Sequence, residues 1–181
     1  TEISLLIKRA GKQLIQVIDN GEGMTEEDAI LSIQKHATSK ISTENDLEAI
    51  RTLGFRGEAL SAISAVSQIE IKTQTAAADV GTLLRIGDEG NVELEKGSYP
   101  KGTSISVKNL FYNIPARRNF LKTDTTELKH VVETFNRIAL GYPEVAMKLY
   151  IDDDLALDFR PGTLLERMDM VFIEKVSDSV L

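Results

Sequence analysis

Asp19 follows the apolar run LIQVI, residues 14–18, and opens the stretch Asp-Asn-Gly-Glu-Gly-Met. An ionised carboxylate offers acceptors only. Held at the end of a strand and the mouth of a pocket, it suits a ligand with an exposed amino donor, such as adenine. It rejects a carbonyl in the same place, because two acceptors would then face each other. Gly21 and Gly23 let the backbone pass close to a flat ring. The competing reading is a plain turn, since Asn-Gly is a common turn dipeptide, and the stretch alone leaves both open.

A second chemistry-bearing stretch is GFRGEAL, Gly54 to Leu60, where Gly54 and Gly57 flank Phe55 and Arg56 and a helix starts at once with Glu58, Ala59 and Leu60. Free backbone N–H groups at a helix start form an anion site, and Arg56 adds charge. The alternative is a helix–loop–helix corner. No G-x-x-x-x-G-K-[ST] occurs in the chain, so a nucleotide site here is not a Walker A loop. Between these stretches, HATSKI carries Thr38, Ser39 and Lys40, able to close over a phosphate tail as a lid; His36 there suits a helix C-terminus. KGTSISV sets Thr103 at the beginning of a strand, where its hydroxyl could share a water with Asp19 if the strands are neighbours. PARRNFLK gathers Arg117, Arg118 and Lys122 near Tyr112 and Phe120, a composition suited to a phosphate backbone or simply to a solvated helix end.

The elements that must position these residues follow from periodicity. Glu2 to Lys8 and Gln13 to Ile18 read as strands joined by a tight turn at RAGK. Thr25, with Asp28 three residues on, opens a helix with a buried stripe of Ile30, Ile33 and Ala37. DLEAIRTLG reads as a short helix ended by Gly54, and EALSAISAV as a small-residue helix. The runs QIEIKTQ, GTLLRIG and TSISVKN read as strands, with DEGNVELEKGSYPKG as a polar, turn-rich linker between the last two. Thr123 to Leu140 is the most periodic helix, its stripe formed by Leu128, Val131, Val132, Phe135, Ile138 and Ala139. A hairpin of VAMKLYI and LALDFR turns on Asp152–Asp154, and Thr163 with Glu166 forms a capping box for one more helix. Hairpins at both ends with helices between them predict an α+β fold: a two-layer sandwich of a mixed, mostly antiparallel sheet with helices on one face.

The totals bound the function. The chain has 181 residues, 42% of them hydrophobic and 27% charged, which is ordinary for a globular domain. A net charge of −7 argues against a protein coated in positive charge, without excluding a local basic groove. With no cysteine there is no disulfide, thiolate chemistry or cysteine-bound metal. No apolar run approaches the length of about 18 residues that a membrane span needs.

Taken in order, DNGEGM, HATSKI, GFRGEALSAIS and FYNIPARRNFLK resemble the signatures of the MutL family of DNA mismatch repair ATPases, and the resemblance covers essentially the whole chain. It implies the Bergerat fold of the GHKL superfamily, lacking its first helix, over residues 1–160, with 161–181 as a linker and the start of a second, transducer domain. By the resemblance Asp19 bonds the adenine amino group, Gly21 and Gly23 shape the base pocket, and Thr103 completes the adenine-side network. Thr38, Ser39 and Lys40 lie in the ATP lid, and Gly54 to Leu60 wrap the phosphates.

It further implies ATP and Mg²⁺ as cofactors, DNA and a MutS-type mismatch recognition protein as partners, dimerisation on ATP binding, and a bacterial cytoplasmic, nucleoid-associated location, or a nuclear one in a eukaryote. The family's general-base glutamate and Mg²⁺-ligating asparagine are expected upstream of Thr1, and its γ-phosphate lysine past Leu181. Neither Glu22 nor Glu58 replaces the base by motif position. The 181-residue chain alone is therefore expected to hydrolyse ATP negligibly, to bind it weakly or not at all, and to expose apolar sheet surface that invites association. The rival readings are another GHKL enzyme, of histidine-kinase or topoisomerase type, and a non-catalytic DNA-binding or dimerisation module.

Overall fold

The computed structural model describes residues 1–34, 58–87 and 90–172. Alternating apolar and polar residues make strands of β1 (Glu2–Lys8), β2 (Leu14–Asp19), β3 (Gln68–Gln74), β4 (Gly81–Ile86), β5 (Val92–Gly97), β6 (Gly102–Lys108), β7 (Ala146–Ile151) and β8 (Asp154–Phe159). They form one eight-stranded sheet in the order β5-β4-β3-β6-β2-β1-β7-β8. Only the β1–β7 pair is parallel; every other neighbour runs antiparallel. The architecture is the expected α+β two-layer arrangement.

Because residues paired across strands point to the same side, the register sorts the sheet into two faces. Ile7, Ile15, Val107, Ile69, Ile86 and Val92 form one row on the first face. Leu5, Val17, Ile105, Ile71, Leu84 and Leu94 form the next. The opposite face carries a network of polar pairs among residues such as Leu6 and the buried Leu83: Glu2 pairs with Lys148 at 3.0 Å, Gln16 donates to Ser104 Oγ at 2.9 Å, and Glu70 holds Lys72 at 3.0 Å and Lys108 at 3.2 Å.

The helices cover the apolar face in two groups. α1 (Glu26–Ser32) and α2 (Ala59–Ser64) lie over β3 and β4, burying Ala29, Ile69, Ile71, Leu84 and Ile86. After the short α3 (Pro115–Phe120), α4 (Asp124–Gly141) and α5 (Leu164–Val171) cover the other side. There Ile7, Phe135, Ala139, Met147, Leu149 and Phe159 are buried, and each large apolar side chain so covered contributes about 1.5–3 kcal/mol. Between the groups Val17 stays 40% exposed on the helix-facing side.

Local chemistry sets the ends. Thr25 accepts from Asp28 N–H at 3.1 Å, capping α1, and Thr123 caps α4 through Thr126 N–H. Thr163 and Glu166 make the expected reciprocal capping box on α5. Asp152 and Asp153 turn the β7–β8 hairpin at φ 48° and 77°, a left-handed conformation that Asp tolerates. Arg167 of α5 is 1% exposed. Its guanidinium donates to the carbonyls of Ala139, Pro143, Val145 and Arg160 and sits 5.4 Å from the Phe159 ring. One buried side chain thus ties α5 to the end of α4, to the turn leading into β7 and to the end of β8.

Three sequence expectations need correction. DEGNVELEKGSYPKG is not only a linker, because Val92–Gly97 is strand β5 at the sheet edge. On α1 the fully buried position is Ala29, with Ile30 and Ile33 partly buried; Ala37 lies outside the described residues, as does DLEAIRTLG. On α4 Ile138 is 43% exposed, because at 100° per residue it falls at the margin of the stripe centred on Phe135 and Ala139. Among the described residues no helix is long and apolar enough to cross a membrane.

Candidate functional site

The apolar face ends in a polar row. Asp19 pairs with Thr103, Thr103 with Thr73, Thr73 with Thr82 and Thr82 with Lys96, so these five side chains share the helix-facing side of adjacent strands β2, β6, β3, β4 and β5. Register alone brings Asp19 and Thr103 together, as the sequence reading of neighbouring strands requires. Asp19 Oδ1 accepts the Gly21 N–H at 2.8 Å. This turns the chain back at once and orients the carboxylate, which keeps further acceptor capacity.

The turn after β2 is fixed over the ends of β6 and β3. Gly23 has φ 75°, and a Cβ there would overlap the Gln74 carbonyl oxygen. Gly102 has φ 116°, and its Cβ would overlap the carbonyl oxygen of Asp19. Both positions therefore require glycine on two counts, conformation and space. Met24 N–H then donates to Thr73 Oγ1 at 2.7 Å, and Thr73 Oγ1 lies 3.1 Å from Thr103 Oγ1. Lys96 at the far end of the row forms an ion pair with Glu26 of α1.

Sequence reasoning missed Thr73 and Gly102. The signal for Thr73 was in the period of two: Ile69, Ile71 and Thr73 alternate in QIEIKTQ, so Thr73 had to share the face of two core isoleucines. For Gly102 no local signal distinguishes it from any glycine before a strand. Of the phosphate-binding stretch only Glu58, Ala59 and Leu60 are described: Glu58 is the residue before α2, Ala59 begins it, and Leu60 packs into the second cluster. Gly54, Phe55, Arg56 and Gly57, and Thr38, Ser39 and Lys40 with His36, lie outside the described residues.

The basic stretch stands apart from this row. Arg117 and Arg118 lie on α3, which has no buried residue, and Phe120 is 87% exposed. α3 follows the end of β6, whereas Asp19 pairs with Thr103 near its beginning. Five residues of strand from Thr103 to the end of β6, roughly 16 Å at 3.3 Å per residue, separate the two candidate sites. The structure adds basic residues from the β1–β2 turn: Lys12 Nζ donates to the Lys122 carbonyl and to Asp124 Oδ1, both at 2.7 Å. The Lys12 hydrogen bond holds the Asp124 carboxyl below its ordinary value against the opposing pull of partial burial, with Arg9 nearby adding to the lowering.

Two further features bear on chemistry. A cleft at the other end of the sheet is lined by Ile33, Ser64, Ile86, Val92 and Tyr112, and among the described residues no charged side chain lines it. Among the described residues no three His, Asp or Glu side chains gather around one point.

No family model matches the chain. The DNA mismatch repair protein MutL of Prosthecochloris aestuarii is 49% identical over 179 residues, which is 99% of this chain and 29% of that protein. MutL of Chlorobaculum tepidum is 47% identical over 182 residues, covering 100% of this chain and 29% of that protein. Among solved structures, the Aquifex aeolicus MutL ATPase domain complexed with ADP matches with a TM-score of 0.76 at 30% identity, over 97% of this chain and 62% of that one. The chain thus spans less than a third of the length of the curated relatives it matches.

Proposed function

The chain belongs to the MutL family of DNA mismatch repair proteins, and from that premise we propose that its polar row is the purine-reading half of an ATP-operated repair switch. The observation that carries the reading is the adjacent placement of Asp19 and Thr103 on one face at the sheet margin. Asp19 accepts from the adenine amino group; a 6-oxo purine would set oxygen against oxygen. Gly21 and Gly23 keep the turn low enough for the base to lie beside it. Thr38, Ser39 and Lys40 close over the triphosphate, and the stretch from Gly54 through Phe55, Arg56, Gly57, Glu58 and Ala59 to Leu60 supplies backbone N–H donors to it.

In the whole protein, bound ATP closes the lid and brings two copies together, and hydrolysis releases them. That cycle would pass mismatch recognition by a MutS-type partner to the repair machinery in the bacterial cytoplasm, at the nucleoid. Arg117, Arg118 and Lys122, joined by Lys12, are the candidate contacts to DNA phosphates. The division at 160/161 belongs to the same proposal, with α5 as the first element beyond it.

The test is Asp19→Asn in a full-length MutL carrying this sequence. Replacing one acceptor by an amide that also carries donors impairs a buried hydrogen bond, about 1.5–3 kcal/mol when the group is charged. The expected result is a loss of ATP affinity of roughly 10- to 100-fold, read by equilibrium binding. Unchanged affinity would remove the purine assignment.

A further inference from the structure

Asn20 is exposed and precedes Gly21 in the turn after β2. An asparagine before a glycine can modify itself without an enzyme. The main-chain nitrogen of Gly21 loses its proton and bonds to Cγ of Asn20. The side-chain amide leaves as ammonia, taking up that proton, and an imide ring remains. Water then opens the ring at either carbonyl, giving aspartate or the isomer whose main chain runs through the side-chain carbon. Glycine favours the closure, because no Cβ obstructs the approach of its nitrogen. The reaction needs an amide nitrogen able to shed its proton and a Cγ free to swing to it.

The fold opposes both. The Gly21 N–H donates to Asp19 Oδ1 at 2.8 Å, and a carboxylate beside a group that must become an anion resists its ionisation. Asn20 Oδ1 accepts the Glu2 N–H at 2.8 Å, and the Asn20 N–H donates to the Glu2 carbonyl at 3.3 Å. Glu2, the first residue of β1, thus clamps Asn20 by its side chain and its main chain. We propose that Asn20 is a latent site of self-modification, a deamidation held off by Asp19 and Glu2 and released when this end of the β1–β2 ladder opens. The isoaspartyl product carries an extra main-chain methylene, in a turn whose Gly23 already lies against the Gln74 carbonyl. A chain that reacts while open therefore cannot regain the original turn. The inference goes beyond the nucleotide reading and holds whatever the turn binds.

The experiment incubates a full-length MutL carrying this sequence in mildly alkaline buffer, folded and in urea. It follows the tryptic peptide 13–35, in which Asn20 is the only asparagine, and fragment ions locate the mass gained when amide becomes acid. The urea sample is expected to convert at least about tenfold faster, since the folded chain reacts only through its open fraction. Asp19→Asn keeps an acceptor for the Gly21 N–H but removes the negative charge. Compared at equal distance below each protein's melting temperature, D19N is expected to speed conversion of the folded sample by about threefold or more, with a smaller effect in urea. The proposal is overturned if folded and urea samples convert equally, if neither gains mass at Asn20, if D19N converts no faster than the parent, or if D19N speeds the urea sample as much as the folded one.

Discussion

Gly23 sits in the left-handed region with the Gln74 carbonyl where a side chain would begin. Gly23→Ala should lower stability by about 2 kcal/mol or more, from the left-handed conformation alone and then from displacement of the turn, measured as a shift in urea midpoint. A midpoint within error of the parent would mean that the turn is free to move. At this scale the sequence was partly legible. The carboxylate of Asp19 and the glycine spacing announced a turn with acceptors, whereas the meeting of Asp19 and Thr103 hung on β2 and β6 being neighbours, which the sheet register supplies. What stayed hidden was Thr73, because a threonine within a strand reads as β-propensity until the pairing partner is known. Its role depends on Met24 and Gly102, contacts that only the assembled sheet creates.

At the scale of elements, the polar face of the sheet carries the clearest pH response. Glu70 on β3 is 16% exposed and touches Lys72, Lys108 and Arg85. Burial alone would raise its carboxyl, but the bonds from Lys72 and Lys108 outweigh this and hold it below the ordinary 4.5. A carboxyl lowered in the folded state binds its proton less readily there than in the unfolded chain. Its stabilisation is thus present above about pH 4.5 and is lost as pH falls through the folded-state value. Glu70→Gln should cost about 1 kcal/mol near neutrality, and the gap from the parent should close in urea titrations carried down to pH 3; a gap independent of pH would rule out this origin. Elements with long periodic stripes, such as α4 and β3, were legible in the sequence. β5 was not, since VELEK offers only two inward apolar residues between turn-rich flanks, and an edge strand is fixed by the neighbour it pairs with. Ile138 marks the opposite error, an apolar residue counted into a stripe whose centre lies on the other side of it.

For the whole molecule, the expectation about catalysis is the sharpest. The resemblance assigns the general base, a metal ligand and a γ-phosphate contact to residues outside this sequence, and phosphoryl transfer needs such groups together. The purified 181-residue polypeptide should therefore show negligible ATP turnover, and a rate near that of a full-length MutL would contradict this. The sheet itself is continuous, yet its hydrophobic filling is divided. One body of side chains gathers under α4 and α5 and another under α1 and α2, and Val17, where they would merge, faces water. A polypeptide built this way has two candidate units of cooperative opening joined by the β2–β6 ladder. Native-state amide exchange should then resolve two levels of protection. The amides of β1, β7 and α4, on the side where Arg167 buries its guanidinium against the end of α4, should exchange last, and those of β3 and β4 should exchange through an easier, subglobal fluctuation. The edge that reads the nucleotide would belong to the looser half, and a bound ligand bridging Asp19 to that half would slow its exchange first.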